Sequence, residues 1–201
     1  MRKITINLAA VAAFCIVVAS PALVSSSCAT PKTEQEDTTI IREDSGITAL
    51  KYSSPEVPAS IEFCGKTIDL SRFDRHERMD RELLAFTYMH STSLQMLKKA
   101  NRYFPIVEPI LKENGIPDDF KYLMVIESNM NPTARSSAGA AGLWQFMQGT
   151  GRDYGLEVNN NVDERYHIEK ATRAACRYLK DAYAKYKDWV AVAASYNAGQ
   201  A

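Results

Sequence analysis

The chain has 201 residues, of which 46% are hydrophobic and 24% are charged. That is ordinary globular usage, enough for one domain with appendages or two small ones, and it excludes a disordered, collagen-like or multi-span membrane protein. Lys plus Arg number 24 and Asp plus Glu number 24, so the chain lacks the basic footprint of a nucleic-acid binder and offers no basic surface to anionic lipid.

Residues 1–27 carry Arg2 and Lys3, no acid, the apolar run Leu8–Val18 and the small-residue stretch Ser25-Ser26-Ser27. A basic start, a short apolar core and a small-residue end describe a secretory signal peptide. Its removal takes away two positive charges and leaves 22 basic against 24 acidic residues, a mature chain at −2. Cys28 follows the three serines and resembles the cysteine of a bacterial lipobox, with Ser25 where leucine is usual. Lipidation of Cys28 would hold an exported protein on the periplasmic side of a membrane. The other reading is a soluble exported protein cleaved nearby, with Cys28 an ordinary thiol.

Residues 28–58 are rich in Thr, Ser, Glu, Asp and Pro and bury too little apolar surface to fold, so they read as a polar tether. The segment 59–104 reads as an entry arm followed by a helical segment. Ile61-Glu62-Phe63 and Thr67-Ile68-Asp69 alternate around Cys64-Gly65-Lys66, a short hairpin pattern. From Asp74 the period becomes helical, with Met79, Leu83, Phe86 and His90 on one face and Leu94, Leu97 and Ala100 continuing or following. Pro105 permits a helix start, Ile106, Val107, Ile110 and Leu111 supply its apolar stripe, and Gly115 ends it. Pro117-Asp118-Asp119 opens another helix with acids at its positive end. Asn131–Gly142 and Gly149–Asn161 read as loops. Asp163 caps a helix bearing Ile168, Ala171, Ala175, Leu179 and Tyr183, and Asp188 caps a last one from Trp189 to Asn197. Cys64 and Cys176 can pair across a long loop or stand as two buried thiols. No spacing suits a zinc site, and His76, His90 and His167 read as surface or cap residues. The fold class is mainly α.

Phe120, Leu123, Met124 and Glu127 fall at i, i+3, i+4 and i+7, so Glu127 is a carboxyl at the end of an apolar face. Desolvation disfavours its charged form and raises its pKa, and a carboxylic acid that keeps its proton near neutral pH can protonate a leaving group. The bland reading is a Glu satisfied by a cap or by an arginine such as Arg135. Three further segments bear on the choice: Ser128-Asn129-Met130-Asn131-Pro132, then Ser136–Met147 with its small residues followed by Trp144, Gln145, Phe146 and Met147, then Ser195-Tyr196-Asn197-Ala198-Gly199. Singly, Trp144 and Phe146 fit a core and Gln145 a surface. Asp153 and Asp163 read as cap or surface acids.

Taken in order, Glu127-Ser128, Gly142-Leu143-Trp144-Gln145-Phe146 and Tyr196-Asn197-Ala198-Gly199 resemble the catalytic domain of the soluble-type lytic murein transglycosylases. The resemblance covers residues 105–201. It implies a mostly α, lysozyme-like domain with a sugar-binding cleft, and an enzyme, a carbon–oxygen lyase, that cleaves the β-1,4 bond between N-acetylmuramic acid and N-acetylglucosamine in peptidoglycan. The implied product ends in 1,6-anhydro-N-acetylmuramic acid. It further implies Glu127 as general acid and then base. Ser128, Gln145, Phe146, Met147, Tyr196 and Asn197 would then be residues of the substrate cleft. No metal or organic cofactor is implied, and the partner is the glycan strand of peptidoglycan. In this family the domain continues beyond the third motif, so the domain here is expected to be truncated at its C-terminal end. Two other functions stand beside this one: a lysozyme-like hydrolase in which water attacks, and a non-catalytic lipoprotein that holds glycan.

Overall fold

The computed structural model describes residues 55–198, with only the backbone of Asn197 and Ala198. The expected signal peptide, Cys28 and nearly all of the tether lie outside the described residues. A hairpin of β1 (Ser60–Phe63) and β2 (Lys66–Asp69) comes first, its strands antiparallel with Phe63 opposite Lys66. Its two-residue turn, Cys64-Gly65, has positive φ at both positions, the mirror-image turn whose twist suits two strands.

Helix α1 (Phe73–Tyr88) buries Met79 and Leu83. It stops at Met89, so His90 begins the next helix and lies exposed instead of extending the Met79 face. Helix α2 (His90–Glu113) runs straight through Pro105 and Pro109, which corrects the expected start at Pro105. A proline inside a helix leaves the carbonyl four residues back without its donor. Here those carbonyls belong to Asn101 and Pro105, and residues 101, 105 and 109 form one exposed row, so water is at hand. The opposite face buries Met96, Ala100, Tyr103, Phe104, Val107, Ile110 and Leu111. Leu94 and Leu97 lie off that face, 59% and 36% exposed. Gly115 does end the helix: at φ 69° its N–H bonds the Lys112 carbonyl while Ile116 N–H bonds that of Leu111, the paired closure of a glycine-capped helix.

A 3₁₀ turn (Asp118–Tyr122) then leads into the six-residue α3 (Leu123–Ser128). After a long loop come α4 (Gln148–Asp153), a second 3₁₀ turn (Glu164–Tyr166), α5 (Ile168–Tyr186) and α6 (Trp189–Ala198). The start of α4 corrects the expectation that Gly149–Asn161 is all loop. Asp163 caps the 3₁₀ turn, not α5 itself, whose cap is His167, with Nδ1 accepting from Lys170 N–H. Asp188 accepts from Val190 N–H at the start of α6, as expected.

Helices α2 and α5 pack together, and α6 packs on α5. Cys176 is buried between the first pair, its Sγ 3.9 Å from the Ile110 carbonyl. Burial pushes that thiol up to about 11. Cys64 is also a free thiol, half-buried in the hairpin turn. The hairpin belongs to the same core: Phe63 packs on Phe120 and Phe120 on Trp189, with ring centroids 6.2 and 5.4 Å apart. Cys64 N–H donates to Asp119 Oδ2 at 2.7 Å, and Lys66 Nζ pairs with Asp188 at 2.7 Å.

Candidate active site

Three elements meet at the site: the end of α3, the loop between α3 and α4, and α6. Helix α3 is anchored by Leu123, Met124 and Val125, all buried. Glu127 lies one turn on, half-exposed as a residue, with its Oε1 atom buried. The helix then stops abruptly. Asn129 and Met130 both adopt positive φ, 49° and 52°, and the Met130 N–H reaches back to the Met124 carbonyl. Two successive left-handed non-glycine residues cost of order 1–2 kcal/mol each. Full burial of the Met130 side chain offsets that cost. Lys99 adds a cation at this helix end, its Nζ donating to the Asn129 carbonyl at 3.0 Å.

The loop from Ser136 to Met147 is held mostly by its own backbone. Ala141 N–H bonds the Phe146 carbonyl at 3.0 Å and Gly142 N–H bonds that of Ala134 at 2.9 Å. At Gly142, φ is 78° and a Cβ would lie 1.9 Å from the carbonyl oxygen of Arg165, so nothing larger than glycine fits. Gln145 is a third left-handed residue, at φ 48°, and its Nε2 donates to the Gly142 carbonyl at 2.7 Å. Among the described residues five non-glycines have positive φ, and three of them, Asn129, Met130 and Gln145, border this site. Concentrated strain of that kind marks functional surfaces.

Trp144 ties the loop to two helices. Its ring is fully buried and its indole N–H donates to Thr172 Oγ1 on α5 at 3.0 Å. Its carbonyl accepts from the Tyr196 hydroxyl on α6 at 2.8 Å. Tyr196 stays protonated well above the ordinary phenol range, first through burial, then through the nearby Glu127 carboxylate and Tyr178. Tyr178 packs edge-on against Phe146, Tyr154 and Tyr196.

The expected site residues thus divide. Tyr196 is tied to the loop of Gln145 through the Trp144 carbonyl, and Glu127 is near enough to Tyr196 to act on its charge, while the Gln145 amide turns back onto the Gly142 carbonyl. Met147 is 46% exposed beside the loop. The ring of Phe146 is buried in the core, and its carbonyl makes the polar contacts. Ser128 is buried, and its hydroxyl donates to the Met124 carbonyl one turn back. The side chain of Asn197 lies outside the described residues. Sequence reasoning missed Thr172, a lone hydroxyl on the apolar face of α5, and Arg165, two residues after an aspartate. Among the described residues no group of three His, Cys, Asp or Glu side chains could hold a metal ion, and no helix is long and apolar enough to cross a membrane.

Residues 105–201, which contain the carboxyl, the glycine-rich loop and the last helix, match the transglycosylase SLT domain, so this region carries that domain and its lysozyme-like, mainly α fold. Among curated proteins it is 31% identical over 125 residues to the membrane-bound lytic murein transglycosylase D of Escherichia coli (strain K12), and equally to that of Escherichia coli O6:H1 (strain CFT073). Those alignments cover 62% of this chain and 27% of the relative. Peptidoglycan transglycosylase gp16 of Escherichia phage T7 is 33% identical over 90 residues, covering 43% of this chain and 7% of the relative. The chain therefore spans about a quarter of the length of its E. coli relatives. Their alignment is longer than the family match, so similarity reaches upstream of residue 105.

Proposed function

We propose that this domain is a lytic transglycosylase acting on peptidoglycan, with Glu127 as its acid and base. The observation that carries the reading is the buried Oε1 of Glu127 at the end of α3, near enough to Tyr196 to act on that phenol. A carboxyl removed from solvent keeps its proton more readily than one in water. Protonated Glu127 donates to the glycosidic oxygen, and the N-acetylglucosamine side of the bond leaves. The acetamido oxygen of the muramic acid residue takes up the electron deficit at its own anomeric carbon, giving an oxazolinium intermediate. Glu127, now ionised, removes the proton from the C6 hydroxyl as that oxygen attacks the anomeric carbon. The ring closes to the 1,6-anhydro sugar, the proton is back on Glu127, and no water is consumed. One carboxyl suffices because the substrate supplies its own nucleophile.

The loop Ser136–Met147 lines the cleft, Gln145, Met147 and Tyr196 contribute to glycan binding, and Asn197 is assigned the same role from its motif alone. Export and a lipid anchor at Cys28 place the enzyme in the cell envelope, where its substrate is. Domain limits follow: signal peptide 1–27, tether 28–58, then the folded body. The decisive experiment is mass analysis of products from purified peptidoglycan. Anhydro ends are expected; reducing ends would make the protein a hydrolase, and intact strands would make it a binding protein.

A further inference from the structure

Arg165 lies in the second 3₁₀ turn and is only 4% exposed. A buried guanidinium is costly unless its N–H groups all find acceptors. Nε donates to Asp163 Oδ1 at 2.9 Å and Nη2 to Asp163 Oδ2 at 2.7 Å, a two-pronged ion pair. Nη1 turns the other way and donates to the carbonyls of Gly139 at 2.8 Å and Phe146 at 3.0 Å. Those carbonyls stand on either side of the Gly142 turn, one on each arm of the glycine-rich loop. The Arg165 backbone also presses on Gly142 itself, at the approach only a glycine allows. The proposed chemistry uses neither Arg165 nor Asp163. An apolar pair could fill the same space without the desolvation cost, but it could not hold two carbonyls at a fixed separation.

We propose that Arg165 is a positioning residue for glycan binding, clamping both arms of the loop at Gly139 and Phe146 and so fixing Gln145 and Met147 relative to Glu127. This rests on the glycan-cleaving reading above. Arg165 acts through the loop and does not touch sugar. The same loop also hangs from Tyr196 and Thr172 through Trp144, so loss of the clamp loosens it at Gly139 and Phe146 while Trp144 stays tied. A planar five-donor fork can serve Asp163 and both carbonyls together. A lysine, one ammonium on a flexible stem, cannot.

The test compares the full chain with Arg165→Lys and with Asp163→Asn, a milder change that keeps an acceptor beside Arg165 and removes its charge. Three quantities are read: KM and kcat on purified peptidoglycan, retention on insoluble peptidoglycan, and amide hydrogen exchange. In Arg165→Lys, KM is expected to rise about tenfold with kcat within about threefold, the scale of one or two lost charge-assisted hydrogen bonds. Exchange should quicken at Ala141 and Gly142 while α5 keeps its protection, and Asp163→Asn should shift the same readings less. Where Arg165→Lys fails to fold, Asp163→Asn decides alone. Faster exchange throughout the protein, with the folded fraction keeping wild-type KM, would reduce Arg165 to packing and overturn the proposal. So would variants unchanged in KM and in local exchange while the wild type cleaves. A wild type that neither cleaves nor retains peptidoglycan, with exchange still quickened only in the loop, overturns the glycan-cleaving reading and leaves the clamp standing.

Discussion

The Tyr196 hydroxyl donates to the Trp144 carbonyl across 52 residues of chain, at 2.8 Å. This bond joins the last described helix to the loop that holds Gln145, and after burial the Glu127 charge helps keep the same phenol protonated. Tyr196→Phe removes the donor and leaves a carbonyl of a buried residue without it, at a cost of about 1–3 kcal/mol. The denaturant midpoint should fall accordingly with its slope unchanged, and turnover of peptidoglycan should fall in the protein that remains folded. An unaltered midpoint would show that water replaces the phenol.

Glu127→Gln keeps the size of the side chain and its hydrogen-bonding capacity but cannot give up and regain a proton. Loss of one acid–base group costs about 10² to 10⁴ in rate. Here the same group serves both steps, so the loss should lie at or beyond the upper end. Binding to insoluble peptidoglycan should persist. Undiminished release of anhydro products by the variant would sink the mechanism.

Gly142→Ala and Gly139→Ala form a matched pair. Both glycines have positive φ, at 78° and 90°, so both alanines carry backbone strain of about 1–2 kcal/mol. At Gly139 a Cβ meets nothing within 4 Å, whereas at Gly142 it collides with the Arg165 carbonyl. Gly139→Ala should fold with a modestly lowered melting temperature. Gly142→Ala should lose more than about 4 kcal/mol, or fail to fold. Equal effects in thermal melts would mean that the loop and the 3₁₀ turn move apart freely.

Acid should loosen the same region first. Arg165 holds the Asp163 carboxyl below its ordinary value of 3.8. A group whose folded pKa is depressed contributes stability that is present above the unfolded value and is lost as pH falls through the folded one. Loop exchange should therefore stay slow at neutral pH and accelerate only below about pH 4, ahead of α5. In Asp163→Asn that acid step should be missing. An acid step of unchanged size in that variant would assign it to another carboxylate.

What could be read from the chain was local. The hairpin turn, the Gly115 helix end and the Asp188 cap each depend on a few neighbouring residues, and all three stand in the structure. Pro105 misled because the cost of a proline inside a helix is lessened where water reaches the bereft carbonyl and outweighed where the opposite face is buried, and both are tertiary properties. Leu94 and Leu97 misled because α2 turns its Met96–Ala100 side inward, which α1 and the rest of the core decide. At the site, the place of Glu127 one turn after Leu123 and Met124 was legible, but Phe120 lies in a 3₁₀ turn and not in the helix expected to open at Asp118. The burial of the Trp144 and Phe146 rings was left open, since a loop has no period to assign its faces. Arg165 gave no signal through its acceptors, because backbone carbonyls 19 and 26 residues away carry no side-chain identity.

The hairpin bears on how this domain can be handled as a module. The family match begins at residue 105, in the middle of α2. A graft cut there would halve that helix and bare the face of Phe120 that Phe63 covers, and Asp188 would lose Lys66. Freshly exposed aromatic surface of this kind promotes self-association. The smallest portable unit is therefore larger than the region of family likeness and starts at the first strand, so that a transplant succeeds or precipitates according to some forty residues that the motifs never mention.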